Sequence, residues 1–227
     1  MPRDRNNETT SSPVIERYLG RYAEPEAGQL HGLSGVFKRC VTIPSCAEGR
    51  GLLDALATVA VAGDRGVLAV VVVNERVDAS AEIQSANRAT FAACAEAYGP
   101  GVPLESIGAL VHETDFGTAL LIDRTQARAF GPRQGVGLAR RTAADVAVAL
   151  YHHNRLLSPW IHCTDADVRL PADYFDRTAA LSVQGGEPLA AALYPFVHVC
   201  DEGPQQRAIV DAYDAWLRYY VAGLRWA

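Results

Sequence analysis

The stretch VLAVVVV at residues 67–73 is the longest uninterrupted apolar run in the sequence. Valine is branched at Cβ and favours extended backbone. A run without polar alternation is typical of a strand that is covered on both faces. Segments with apolar residues at helical spacing lie on either side of it, at residues 52–62 and 79–98. The run therefore predicts a buried strand between two helices.

Strand and helix patterns continue to alternate in both directions along the chain. Further strands are predicted at residues 40–44, 119–122, 160–164 and 190–199, and further helices at residues 137–151, 171–183 and 204–226. Strands that alternate with helices of about 10–15 residues are typical of βαβ units. The expected fold class is α/β, with a mainly parallel, Rossmann-like sheet and helices on both faces.

The composition excludes several classes of protein. The 227 residues are enough for one large domain, or for one domain and a small appendage. A hydrophobic content of 49% indicates a globular chain, and a formal net charge of −5 argues against a nucleic-acid-binding surface. Five cysteines without a CxxC pair argue against a zinc knuckle and fit a reducing, cytoplasmic compartment. Neither a signal peptide nor a transmembrane segment is predicted.

Polar segments follow three of the predicted strands, where a parallel sheet binds its ligands. They are PSCAE at residues 44–48, NERVD at residues 74–78 and DAD at residues 165–167. In extended backbone, the side chains of Asp165 and Asp167 would project to the same side. Two such carboxylates suit Mg²⁺ or Mn²⁺ that already carries phosphate oxygens. The alternative is a loop with two solvated aspartates, or a helix cap.

Small residues and two arginines open the predicted helix near residue 137. The segment GVGLARR at residues 135–141 would let backbone N–H groups approach an anion, and the guanidinium groups of Arg140 and Arg141 could pair with phosphate. The alternative is a flexible loop with solvated arginines. The glycine spacing is not GxGxxG, because position 140 is arginine, so a nicotinamide dinucleotide site is poorly supported.

Three of these segments together resemble a known family. VTIPSCAE at residues 41–48 looks like the opening strand and loop of family 2 glycosyltransferases, V-x-I-P-x-x-x-E. GLARR at residues 137–141 resembles their G-x-x-x-A-R-N segment, and TDAD at residues 164–167 resembles their L-D-A-D metal motif. The resemblance covers residues 39–199 and implies a GT-A fold that binds a nucleotide-diphosphate sugar through a divalent cation, Mg²⁺ or Mn²⁺.

The resemblance also implies roles for individual residues. It implies nucleotide binding by Pro44, Ser45, Glu48, Asn74, Arg140 and Asp165, and metal binding by Asp165 and Asp167. The sequence departs from the family at Asn74, where an aspartate is usual, and at Arg141, where an asparagine is usual. Residues 99–118 have no family counterpart. These departures leave the base contact and the identity of the donor open.

The acceptor side has a weaker counterpart in the sequence. Family members continue into an acceptor-binding half with an acidic pair that supplies the general base, whereas sixty residues follow Asp167 here. Asp201 and Glu202 form the only adjacent acidic pair among them and are the candidate catalytic residues. Residues 1–38 are expected to be an N-terminal arm and lead-in segment. Residues 39–227 are expected to be the nucleotide-sugar-binding domain, without an acceptor half.

The last predicted helix has an apolar face that includes Trp216 and Tyr220. That face must be buried, so it is expected to pack on its own sheet or on a second copy of the chain, as a homodimer.

Three functions are weighed. The first is a metal-dependent, inverting glycosyltransferase, or its donor-binding portion with weak or no activity alone; its partners would be a nucleotide-diphosphate sugar and an unknown acceptor. The second is a nucleotidyltransferase that makes a nucleotide sugar, although only one Gly-Arg pair follows the first strand. The third is a non-catalytic nucleotide-sugar-binding module.

Overall fold

The computed structural model describes residues 12–181, 189–199 and 203–224. The chain divides into two compact units, residues 1–183 and residues 184–227. In the first unit the helices are α1 (Pro13–Arg21), α2 (Gly51–Ala62), α3 (Ala81–Tyr98), α4 (Val136–His152) and α5 (Tyr174–Leu181), with 3₁₀ turns at Pro25–Gly28 and Gln126–Arg128. Its strands are β1 (Arg39–Ser45), β2 (Val67–Asn74), β3 (Val102–Leu104), β4 (Ala109–Thr114), β5 (Gly117–Arg124) and β6 (Ile161–Cys163). The second unit contains α6 (Pro204–Leu224).

The six strands form one sheet in the order β3-β4-β5-β2-β1-β6. Strands β5, β2, β1 and β6 are parallel to one another, and β3 and β4 are antiparallel. Every residue of β2 is buried, which confirms the strand predicted from the valine run. The α/β fold class and the mainly parallel, Rossmann-like sheet are confirmed.

Helices cover the sheet because alternate side chains of the central strands point to opposite faces. On one face, Leu68, Val70 and Val72 belong to a core cluster that includes α4 and the lead-in segment. Helix α3 contacts β2 and β4, and its buried Ala93 and Cys94 lie outside that cluster. The parallel strands end together at one edge of the sheet, where the segments that follow them meet.

Residues 99–118 extend the sheet on one side. They form β3, β4 and the turn into β5. The turn ends at Gly117, whose φ of +132° disfavours other residues, and a Cβ there would lie 2.5 Å from the carbonyl oxygen of Val67. A glycine therefore lets β5 begin directly beside β2.

The lead-in segment packs on α4 through a buried carboxylate. Asp145 accepts hydrogen bonds from the Tyr18 hydroxyl, at 2.7 Å, and from the main-chain N–H of Glu24, at 2.8 Å. Helix α1 starts at Ser12, whose hydroxyl accepts a hydrogen bond from the main-chain N–H of Val14. Residues 12–38 are thus part of the packed unit around the sheet.

The strand predicted at residues 190–199 is wrong. This segment contains neither helix nor strand, and none of the described residues forms a ladder with it. A strand needs a neighbour for its backbone hydrogen bonds, and the side chains of Leu193 and Val199 are largely exposed. Within the same unit, the His198 ring pairs with Asp214 of α6. None of the helices in the described residues has the length and apolar character of a membrane span.

Candidate functional site

A cleft of about 220 Å³ opens at the carboxyl ends of β1, β2 and β6. These strands are parallel neighbours, so the segments that follow them meet at one edge of the sheet. The cleft is lined by Pro44, Ser45, Cys46, Glu48, Asn74, Val136, Arg140, Asp165, Ala166 and Asp167. The structure thus gathers all seven residues that the resemblance marks for nucleotide or metal binding.

Two buried polar side chains form the floor of the cleft. Ser45 is 1% exposed and Asn74 is 3% exposed, at the ends of β1 and β2. The hydroxyl of Ser45 and the side-chain oxygen of Asn74 have no hydrogen-bond partner among the described residues. Buried polar atoms in proteins are normally paired, because leaving one unpaired costs about 1–3 kcal/mol. These atoms are therefore suited to bind polar groups of a ligand.

Three carboxylates, those of Glu48, Asp165 and Asp167, line the cleft. Burial raises the pKa of Glu48, and the negative charges of Asp167 and Asp165 raise it further. Arg140 offsets part of this charge, because its Nη2 lies 2.5 Å from Oδ1 of Asp165. The repulsion among these carboxylates is what a bound cation would relieve.

The DAD segment is not extended, in contrast to the expectation. It follows strand β6, which lies at the edge of the sheet. The strand ends at Cys163, and Asp165 begins a turn in which the main-chain N–H of Val168 donates to the Asp165 carbonyl, at 3.3 Å. Ala166 is buried between the two exposed aspartates, so the turn still directs both carboxylates away from the core.

The donor set fits a cation that is held jointly with a ligand. Among the described residues, no group of three His, Cys, Asp or Glu side chains is arranged to hold a metal ion. Mg²⁺ is usually bound by one or two carboxylates together with water and substrate phosphates. Asp165 and Asp167 supply that number of carboxylates, and the metal role remains a prediction.

The two adjacent arginines of α4 have different surroundings. Helix α4 begins at Val136, and both Val136 and Arg140 line the cleft. The first N–H groups of the helix, which have no partners within it, lie at this edge. Arg141 instead bonds the Tyr22 carbonyl oxygen and approaches Glu24, at 3.3 Å. Arg140 can therefore meet an anion, whereas Arg141 anchors the lead-in segment.

Two buried residues that the sequence patterns did not identify form hydrogen bonds to loops at the carboxyl edge of the sheet. They are Glu75, which directly follows β2, and Asn87, which lies in the middle of α3. The sequence signals that could have identified them were an amide in the middle of a helical pattern and an acid directly after an apolar strand. Their hydrogen bonds reach Ala47 and Gln126, on two different loops of the edge.

The predicted catalytic residues Asp201 and Glu202 lie outside the described residues. The structure therefore leaves the general base as a prediction.

The chain matches none of the family models it was compared with. Comparisons with curated proteins and with solved structures also returned no match. The function is therefore inferred from the geometry of the cleft.

Proposed function

We propose that this chain binds a nucleotide-diphosphate sugar in the cleft together with Mg²⁺ or Mn²⁺, and acts as a glycosyltransferase or as its donor-binding part. One observation carries the proposal. Residues from three sequence segments, 44–48, 136–140 and 165–167, line one cleft with Asn74. The same segments carry the resemblance to family 2 glycosyltransferases.

The polar lining supports a nucleotide as the ligand. Asn74 and Ser45 offer buried oxygens to the N–H or O–H groups of a base or ribose. Arg140 and the first turn of α4 suit a diphosphate, because both favour negative charge. A volume of about 220 Å³ is below the usual 300–1,000 Å³ of small-molecule pockets, so part of so large a ligand would extend out of the cleft.

The negative charge of the lining supports a cation requirement. A diphosphate beside Asp165, Asp167 and Glu48 would be repelled unless positive charge lies between them. Asp167 and Asp165 would hold the cation, and Arg140 would orient the phosphates. When bound, the cation would stabilise the negative charge of the leaving nucleoside diphosphate.

Transfer also requires a base for the acceptor hydroxyl. Asp201 and Glu202 remain the candidates, on the grounds of their sequence alone. Donor binding and transfer are therefore tested separately.

The experiment is a binding panel of UDP, GDP, CDP and dTDP, each with and without Mn²⁺. One nucleotide should stabilise the chain by about 2.7 kcal/mol at 100 times its dissociation constant, and EDTA should abolish the effect. Failure of all four nucleotides to bind with Mn²⁺ would contradict the proposal.

Product assays then distinguish the three functions. Sugar transfer from the matching donor supports the glycosyltransferase, and pyrophosphate release from a nucleoside triphosphate and a sugar phosphate supports the nucleotidyltransferase. Binding without either reaction indicates a non-catalytic binding module.

A further inference from the structure

The carboxyl edge of the sheet contains a buried hydrogen-bond pair that the proposed donor site does not itself use. Asn87 of α3 is 1% exposed, and Glu75 after β2 is 2% exposed. The side-chain nitrogen of Asn87 donates to Oε2 of Glu75, at 3.1 Å. Neither residue lines the cleft, yet both bond to segments that do or that lead to it.

Asn87 holds the loop after β1. Its side-chain oxygen accepts a hydrogen bond from the main-chain N–H of Ala47, at 2.8 Å. Its nitrogen also donates to the carbonyl oxygen of Asn74, at 3.1 Å. Ala47 lies between Cys46 and Glu48, which both line the cleft. One amide therefore ties that loop to the end of β2.

Glu75 holds the segment after β5. Its Oε1 accepts a hydrogen bond from the main-chain N–H of Gln126, at 2.8 Å. The main-chain N–H of Phe130 donates to the Glu75 carbonyl, at 2.8 Å. The chain then continues to Val136 and Arg140, which also line the cleft.

The two main-chain N–H groups that this pair binds belong to Ala47 and Gln126. Both residues have a left-handed backbone conformation, which is unfavourable for residues other than glycine. Ala47 has a φ of +63° and Gln126 a φ of +50°, and neither residue is glycine. Such conformations persist only where the surrounding structure holds them, and they are common at binding sites. Here each is held by one member of the buried pair.

We propose that Glu75 and Asn87 are positioning residues that hold the loop after β1 and the segment after β5 in place for donor binding, an inference that rests on the proposed function. The hydrogen-bond chemistry demands one specific arrangement. Position 87 must accept from Ala47 and donate to Glu75, so it needs an amide. Position 75 must accept from both Asn87 and Gln126, so it needs a carboxylate.

Exchange of the two functional groups tests this arrangement. In Glu75→Gln, the new NH₂ group faces another donor, either the NH₂ group of Asn87 or the main-chain N–H of Gln126. If the Asn87 amide flips so that its oxygen accepts from the new NH₂ group, its own NH₂ group then faces the main-chain N–H of Ala47. In Asn87→Asp two carboxylates face each other. In the double variant, the new carboxylate accepts from Ala47 and from the new amide, whose oxygen accepts from Gln126. Only the bond to the Asn74 carbonyl is lost.

Two measurements at pH 8 compare the wild type, the two single variants and the double variant. The first is the affinity, with Mn²⁺, for the tightest-binding member of the panel UDP, GDP, CDP and dTDP. The second is amide hydrogen exchange in residues 45–50 and 124–130 without nucleotide. Each single variant should lose affinity and exchange faster in both segments, by about tenfold, and the double variant should return to within about threefold of the wild type.

Thr90→Val is the matched control. Thr90 is buried on α3, about one turn from Asn87, and its hydroxyl donates to the Ala86 carbonyl oxygen, at 3.2 Å. This variant removes a buried hydrogen bond from the same helix without touching the pair. It should keep the affinity and the exchange rates of both segments.

Three results would overturn the inference: wild-type behaviour of both single variants, a double variant no better than the worse single, or an equal loss in Thr90→Val. If no nucleotide of the panel binds the wild-type chain, the proposed function fails. The exchange rates then still decide whether the pair holds the two segments.

Discussion

Carboxylates gather at two places around the sheet, and their partners differ. On α4, the buried Asp145 receives hydrogen bonds from Tyr18 and from the Glu24 main chain, and Arg141 lies 3.7 Å away. At the cleft, burial raises the pKa of Glu48, and the negative charges of Asp167 and Asp165 raise it further. Among the described residues, Arg140 alone supplies an ion pair to this group. Where the chain supplies partners for a carboxylate, the group holds the fold together. Where it leaves carboxylates beside one another, the site is suited to an added cation.

The largest loss of nucleotide affinity is expected from Asp167→Ala. Loss of a carboxylate that would hold the cation should lower Mn²⁺-dependent nucleotide affinity by about 100-fold, which corresponds to about 2.7 kcal/mol. Stability in urea should not fall, because the substitution removes repulsion toward Glu48. Isothermal titration calorimetry with and without EDTA measures the effect.

Asp64→Ala is the control for that variant. Asp64 is an exposed carboxylate that pairs with Lys38 before the start of β2, at the other end of the strand. It should leave nucleotide affinity unchanged. An equal loss of affinity in the two variants would contradict a specific role for Asp167.

Asp145→Ala should lower stability and leave nucleotide affinity nearly unchanged, the opposite of Asp167→Ala. The Tyr18 hydroxyl and the Glu24 N–H would lose a buried charged acceptor, so the free energy of unfolding should fall by about 3 kcal/mol. Urea unfolding monitored by circular dichroism measures this. Nucleotide affinity at low temperature, where the variant is folded, should stay within about twofold of the wild type. A stability loss below about 1 kcal/mol would mean that the lead-in segment is held by other contacts.

The buried ring of His162 also has hydrogen-bond partners within the chain, and its titration makes the stability of the fold depend on pH. Burial lowers its pKa to about 4, the nearby charge of Arg39 acts in the same direction, and the hydrogen bond to the Cys40 carbonyl opposes them. The folded state then binds fewer protons than the unfolded state, whose histidine titrates near 6.5. Stability should therefore be complete above pH 6.5 and should fall by about 3 kcal/mol as the pH drops to 4.

Urea unfolding between pH 4 and 7 tests this window, with His162→Gln as the comparison. The amide can still bond the Cys40 carbonyl oxygen or the Thr178 hydroxyl but cannot titrate. Its stability should depend less on pH than that of the wild type. Parallel pH profiles of the two proteins would assign the acid sensitivity to other groups.

The smallest expected effects come from the neighbouring arginines of α4. Arg140→Ala should weaken nucleotide binding by about tenfold with little change in stability, because its ion pair is half exposed. Arg141→Ala should lower stability by about 1 kcal/mol and leave the affinity unchanged. Calorimetric titration and urea unfolding of both variants give the two values. The same pattern in both variants would remove the distinction between a binding and an anchoring arginine.

Three cases show what the sequence patterns predicted correctly and what they did not. The valine run predicted β2 correctly, since a strand buried on both faces must be apolar throughout. The cleft residues were also found together, because parallel neighbouring strands bring their carboxyl ends to one edge. The apolar residues 190–199 were assigned to a strand wrongly, since composition records hydrophobicity but not whether a neighbouring strand is present.

Local sequence patterns and the direction of parallel strands were enough to predict the α/β class and the segments that line the candidate cleft. The folded chain was needed to show which arginine faces the cleft, that β6 lies at the edge, and that Glu75 and Asn87 join two loops. Those outcomes depend on distances between residues far apart in the chain, such as the 2.8 Å from Gln126 to Glu75. A hydrogen bond of that kind leaves no periodic signal in the sequence, since each partner is a single polar residue whose role is defined only by the other.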